Sequence, residues 1–327
     1  MKVIVYILVF LLFVISCSQK SNTEVSNDNI ETNENLSSKD NMVQDMSLED
    51  AILKYDGNPS MDIITNLLAS GNVNNTLTET TNIVNTEDVE YDLSVTFDEG
   101  TTALMIASYY GYADLVNALI KNNADVNMKN KRNYTALLYA TDIWARQGIG
   151  IYDSNYNVVE LLVMAKSDVN AANNYGWTPL FFAADNSNSD VVTFLVDNGA
   201  NINLISDEGI TPLLIANDVE TIKILSKTTN INKPNDYGVT PLIAFSGREI
   251  SPEAINILLE NGANVNMVDK DGETALSHAV EYGNFEIALI LLENNANPNL
   301  SNKKAKELAS IARELGDEEV ASVLESY

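Results

Sequence analysis

The stretch Asp269-Lys270-Asp271-Gly272-Glu273-Thr274-Ala275-Leu276, followed by Ala279, Gly283, the run Ile287 to Leu292 and Ala296-Asn297-Pro298-Asn299, decides how the chain is read. The Thr274 hydroxyl can accept from the free N–H groups of a first helical turn, so a short helix begins there. The Ile/Leu run predicts a second helix, and Asn297 to Asn299 leads into the next turn. A unit of this size cannot bury its apolar face alone, so the sequence is expected to repeat it.

It does repeat. Threonines in register are Thr102, Thr135, Thr178, Thr211, Thr240 and Thr274, spaced by 33, 43, 33, 29 and 34 residues. Each stands two residues after Gly100, Asn133, Gly176, Gly209, Gly238 or Gly272, residue types that tolerate the positive φ of a turn. Pro179, Pro212 and Pro241 follow three of them, at the first helical position, where a missing N–H does no harm. These units closely resemble ankyrin repeats over roughly residues 98–327, with a weaker unit before them. The resemblance implies an all-α solenoid with short β-hairpin fingers, six repeats over residues 100–300 and a C-terminal capping repeat over 301–327. That family commonly carries His three residues after the threonine. Here those positions are Met105, Leu138, Phe181, Leu214, Ile243 and Ser277, so more apolar inner helices are expected.

Three stretches depart from the pattern. Residues 47–99 read as a divergent N-terminal capping repeat, with Leu48, Ala51 and Ile52 on one helical face and Ile63, Ile64, Leu67 and Leu68 on a second. Its end holds an extended β-hairpin near 77–97. Val89, Tyr91, Leu93, Val95 and Phe97 alternate with polar residues, and Leu77 to Val84 pairs with them across Asn85 to Asp88. Between Ala140 and Val158 an insertion, 143–157, enlarges one loop, either as drift or as an added contact surface. The repeat starting at Gly209 is short, so its first helix or loop is expected to be truncated.

The chain starts with Lys2 and thirteen apolar residues, Val3 to Ile15. As a helix these span about 20 Å, less than the hydrocarbon core of about 30 Å, so residues 1–16 read as a signal peptide rather than a span. Val14-Ile15-Ser16-Cys17 resembles the lipobox of bacterial lipoproteins, which implies that Cys17 is acylated and anchors the protein in the cell envelope, periplasm-facing or at the cell surface. The plainer alternatives are an ordinary signal peptide or an uncleaved anchor. Residues 17–46, rich in Ser, Asn, Asp and Glu, read as a disordered acidic tether.

The net charge of −27 speaks against nucleic acid, which needs clustered Lys and Arg. It fits either solubility and repulsion from an anionic surface, or a basic partner. The single histidine, His278, lies on a predicted first helix beside Ser277, and adjacent helical residues point apart, so packing is its expected role. No Cys/His zinc site can form from one His and an acylated Cys. Asp269-Lys270-Asp271-Gly272 lacks the closing Glu of a calcium loop. No catalytic constellation, cofactor, metal or small-molecule substrate is expected.

What remains is binding to a protein. The family resemblance carries partner contacts to the finger tips and the concave face of the first helices. Here those positions hold Lys131, Arg132, Tyr134, Tyr175, Trp177 and Tyr237 at the fingers, and Tyr109 and Tyr110 near the end of one first helix. Exposed aromatics suit hot spots, and the plainer alternative is packing against adjacent fingers. Two classes follow: a membrane-anchored scaffold for protein–protein interaction, including an inhibitor or immunity-type binder of an envelope enzyme or toxin, or a structural lipoprotein that self-associates.

Overall fold

From Thr135 onward, one side chain builds the turn ahead of each threonine. In the computed structural model, which describes residues 47–54, 59–79, 81–84, 94–142, 156–227 and 230–327, Asn130 Oδ1 accepts from the N–H groups of Arg132 (3.0 Å) and Tyr134 (2.9 Å). Asn173 holds Tyr175 and Trp177 in the same way, Asn235 holds Tyr237 and Val239, and Asp269 holds Asp271 and Glu273. Ser206 substitutes its hydroxyl, accepting from Glu208 and Ile210. Short polar side chains make this local bond two residues ahead. The chain then reverses through a residue with positive φ, and at Gly238 (φ +82°) a Cβ would lie 2.9 Å from the backbone nitrogen of Lys270. Only glycine permits so close an approach of the next finger.

A threonine then opens the first helix of six repeats. Thr102, Thr135, Thr211, Thr240 and Thr274 accept from the N–H three residues on, at 3.2–3.3 Å. Thr178 starts its helix with no such bond. Ser277 completes a capping box by bonding back to the N–H of Thr274 (2.8 Å). The chain enters through α1 (Leu48–Lys54), α2 (Pro59–Leu68), β1 (Thr81–Val84) and β2 (Ser94–Phe97). Helix pairs follow: α3 (Ala103–Tyr110) with α4 (Ala113–Lys121), α5 (Ala136–Thr141) with α6 (Tyr156–Met164), and α7 (Pro179–Asp185) with α8 (Ser189–Asp197). Next come α9 (Pro212–Ile215) with α10 (Val219–Ser226), α11 (Pro241–Ser246) with α12 (Pro252–Glu260), α13 (Ala275–Glu281) with α14 (Phe285–Glu293), and α15 (Ala305–Glu314) with α16 (Glu318–Glu325). The shortening at Gly209 falls on the first helix, since α9 has only four residues.

Leu104, Leu137, Leu180, Leu213, Leu242 and Leu276 occupy the same site of successive first helices and are fully buried, as are Leu308, Ala183 and Ala279. Each leucine contributes about 1.5–3 kcal/mol through area removed from water. Met105, Leu138, Phe181, Leu214, Ile243 and Ser277 are buried too. The core therefore runs as one stripe from α1 to α16.

Two polar ladders tie neighbouring repeats. At the tips, backbone N–H groups reach the preceding finger: Lys131 to Glu99 O, Asn174 to Arg132 O, Asp207 to Tyr175 O, Asp236 to Glu208 O, Lys270 to Tyr237 O and Asn302 to Gly272 O, all at 2.8–3.1 Å. Behind the second helices, asparagines bridge with both amide atoms. Asn127 accepts from Asp168 N (2.8 Å) and donates to Lys166 O (3.2 Å). Asn170, Asn232 and Asn266 repeat this toward Asn201, Asn264 and Asn297. Such bonds satisfy backbone groups that the turns leave open.

The fingers differ from the hairpins expected. They are turns, and among the described residues their only ladder pairing is isolated bridges such as Val268 with Thr274. The extended hairpin is present, antiparallel, with Thr81 opposite Phe97 and Val84 opposite Ser94. Its register differs from a turn at Asn85 to Asp88, which would set Val84 beside Val89. Phe97 is fully buried against Tyr109 (ring centroids 5.3 Å), and that anchor fixes the pairing, since a one-residue slip would turn it outward. Val89, Tyr91 and Leu93 lie outside the described residues, as do the signal peptide, Cys17, the tether and most of the insertion. No helix among the described residues is long and apolar enough to cross a membrane.

Candidate protein-contact surface

The turn geometry sorts the finger residues into two sets. The residue two after the turn-building side chain sits at the tip: Arg132, Tyr175, Glu208, Tyr237 and Asp271, all exposed. The residue four after it points toward the first helices and is half-buried: Tyr134, Trp177, Ile210, Val239 and Glu273. Tyr175 is 63% exposed and Tyr237 42%, on fingers flanking the one that carries Asp207 and Glu208. Asp207, Glu208 and Asp236 form no ion pair among the described residues. The middle of the edge therefore presents two phenol rings around three open carboxylates.

The other proposed contact residues stand elsewhere. Tyr109 (1% exposed) and Tyr110 (7%) are core residues, contrary to the exposure expected of them. Tyr109 meets Phe97, Tyr110 and Tyr139 edge-on, and Tyr110 stacks on Tyr112 at 5.5 Å. Burial pushes the Tyr110 hydroxyl well above its ordinary pKa, with Tyr112 adding to the shift. Phe97 of the hairpin packs against both rings, and α2 reaches the neighbouring Tyr112, whose Oη lies 3.3 Å from Ser60 Oγ.

Tyr134 is mainly a packing residue. Its ring lies 4.9 Å from Tyr139 and 6.1 Å from Phe182, and its hydroxyl donates to Asp142 Oδ2 (3.0 Å). Burial and the Asp142 charge push that hydroxyl far up. Trp177 leans on Phe181 and Phe182. Asn130 Nδ2 donates to Tyr139 Oη (3.0 Å) and Thr101 Oγ1 (3.2 Å), and burial pushes Tyr139 up to about 12. Lys131 pairs with Glu99 (3.2 Å) and Arg132 with Asp98, so both cations bind the preceding finger while remaining partly exposed. Burial would lower the Arg132 pKa, but Asp98 outweighs it and holds it high.

His278 lies on α13, stacked on exposed Tyr282 (6.0 Å), with Nε2 3.3 Å from Asp269 Oδ2. Burial would raise Asp269, but bonds from His278 and from the Glu273 and Asp271 N–H groups hold it below its ordinary value. Lys303 sits between Glu273 and Glu281. Among the described residues no group of His, Cys, Asp and Glu is placed to hold a metal. Sequence reading missed Ile205 and Tyr282, both exposed at repeat positions that its finger set did not include, and Arg248, whose partners lie in earlier repeats.

A turn-capped helix pair stacked through its tips defines a repeat protein built to present an edge. The family described as ankyrin repeats matches residues 92–140, 149–235 and 215–302, and the chain belongs to it. A putative ankyrin repeat protein of Acanthamoeba polyphaga mimivirus is 50% identical over 42 residues, 13% of this chain and 26% of that protein. One of Fowlpox virus is 57% identical over 35 residues, 11% of this chain and 25% of that protein. The chain thus spans about a quarter of the length of these curated relatives. Among solved structures, it is similar to a chain of the complex of the Bd0816 predatory endopeptidase from Bdellovibrio bacteriovorus with the immunity protein Bd3460. That likeness has 32% identity and a TM-score of 0.51, and covers 60% of this chain and 99% of that one.

Proposed function

We propose that this chain is a non-catalytic binding protein that holds a protein partner against its finger edge, and that within this class it is an immunity-type binder of an envelope peptidase. The observation that carries the reading is the likeness over 99% of a chain from an endopeptidase–immunity protein complex. The edge supplies suitable chemistry. Tyr175 and Tyr237 offer large rings that lose little entropy on burial, and Asp207, Glu208 and Asp236 suit a basic partner surface. Contacts of that kind weaken with salt. Acylation of Cys17, with residues 18–46 as tether, would hold the array at a bacterial membrane facing its partner.

The test is cross-linked capture from native envelopes with the tagged protein beside a Tyr175→Ala/Tyr237→Ala variant. Recovery of one defined peptidase by the first and its loss from the second is the expected result. A non-peptidase partner would remove the immunity reading and leave the scaffold. An equal catch from both would remove the finger edge. Cys17→Ser is expected to release the protein into the soluble fraction, and retention on the membrane would remove the lipid anchor.

A further inference from the structure

After three of the first helices an asparagine reaches back one repeat. Asn186 Nδ2 donates to Thr141 O (3.0 Å), Asn217 Nδ2 to Asp185 O (2.9 Å), and Asn284 Nδ2 to Ser246 O (2.8 Å) and Arg248 O (3.0 Å). Each satisfies a carbonyl at a helix C-terminal end, where no intrahelical N–H is available. The repeat that follows short α9 cannot use this device. Helix α9 ends at Ile215, four residues after Thr211, and the carbonyl met here is Leu214 O, three after it, whereas Thr141 stands six after Thr135. Three residues of helix amount to about 4.5 Å, beyond the reach of an asparagine.

Arg248 stands eight residues after Thr240, in register with Asn186, which is eight after Thr178. Its longer side chain spans the gap, and Nη2 donates to Leu214 O at 3.1 Å. The guanidinium lies 5.5 Å from the centre of the Phe245 ring, and the Asp185 charge two repeats back favours the cation. Burial draws its pKa down to about 10, so it stays charged at neutral pH. One side chain of the fifth repeat thus joins α11 to the fourth.

We propose that Arg248 is a bolt on the short repeat, holding α9 to the repeat that follows it so that α9 is not a seam where the array opens. Repeat stacks are stabilised mainly by contacts between neighbours, so a four-residue first helix is where coupling is weakest. The finger of that repeat, Ser206 to Ile210, also separates the fingers of Tyr175 and Tyr237. Arg248 therefore fixes how those rings are placed relative to each other, whatever the edge binds.

The test is hydrogen exchange followed by mass spectrometry on the full-length protein in detergent, comparing wild type, Arg248→Ala, Arg248→Lys and Arg313→Ala. Arg313, which pairs with Glu318 and Glu325 at the last repeat, controls for loss of any arginine. For Arg248→Ala, amides of residues 212–226 are expected to lose protection about tenfold or more while those of 103–121 keep theirs. Arg248→Lys is expected to lose less over the same residues, because an ammonium can still donate to Leu214 O. Unchanged protection at 212–226, or equal loss at 103–121, overturns the proposal. Should the alanine variant not fold, the lysine variant decides in the same way: loss confined to 212–226 supports the bolt, and uniform loss or none refutes it.

Discussion

Tyr134 and Tyr175 stand on successive fingers four and two residues beyond their turn-building asparagines, and replacing each by alanine separates the two jobs a finger aromatic can do. Tyr134→Ala removes a ring packed between Tyr139 and Phe182 and the donor to Asp142. Truncating a fully buried aromatic costs about 3–5 kcal/mol, and a lost hydrogen bond adds about 1 kcal/mol. Because Tyr134 is half-buried, the lower part of that range applies, and a loss of about 3 kcal/mol is expected. Tyr175 is 63% exposed, and a surface substitution of this kind changes stability by about 0.5 kcal/mol or less. Urea unfolding followed by circular dichroism is expected to place the two variants at least about 2 kcal/mol apart, provided that the denaturant slope is unchanged. Equal stabilities would mean that Tyr134 does not lock its finger to the helices, and the division of finger residues into inward and outward sets would fail.

The turn-building side chains provide a second comparison. Asn130→Ala strands two backbone N–H groups, Thr101 Oγ1 and Tyr139 Oη in a buried site, whereas Asn235→Ala loses two bonds at a half-exposed one, so the first is expected to cost about 2 kcal/mol more in urea unfolding. Asp269, whose folded pKa is held below the ordinary carboxylate value of about 3.9, contributes stability that is present above that pH and lost as pH falls through the depressed value. Asp269→Asn keeps the acceptor that Asn130, Asn173 and Asn235 use at equivalent turns, so its stability is expected to fall less than wild type between about pH 5 and pH 3. Parallel pH curves for the two proteins would refute the assignment.

The fold was legible because its determinants are local and periodic. Thr102 to Thr274 and the glycines before them announce turn, cap and helix within five residues, and a spacing of 29 was enough to foresee the truncation that became α9. The exposure of Tyr109 and Tyr110 was misread because what covers them comes from outside the repeat. Phe97 arrives on the hairpin, and α2 brings Ser60 to Tyr112, the ring on which Tyr110 stacks; periodicity within the array says nothing about either. The hairpin register failed for a related reason, since alternation places residues on faces without choosing which pairs align; the burial of Phe97 chooses. By contrast, the ion pairs of Lys131 and Arg132 were within reach of the sequence. Asp98 and Glu99 lie about one period earlier, and stacked fingers bring residues one period apart together.

The tip ladder explains why few positions on this edge are open to the recognition proposed for it. At each finger the residues one and two after the turn-building side chain spend their backbone on neighbours: N–H on the preceding finger, C=O on the following one. Their side chains are exposed, and at the first two fingers Lys131, Arg132 and Asn174 also bond a neighbouring finger. Four residues after the turn builder, the side chain is drawn inward to pack, as with Tyr134 and Trp177. These positions read Lys131-Arg132, Asn174-Tyr175, Asp207-Glu208, Asp236-Tyr237 and Lys270-Asp271. Glu99 and Asp98 engage the first pair, which leaves the phenols and open carboxylates of the middle fingers as the part of the edge with unspent chemistry. A partner that matched it would present cations spaced to meet successive fingers. The short repeat lies in the middle of that span, so any change in its packing changes the spacing the partner must match.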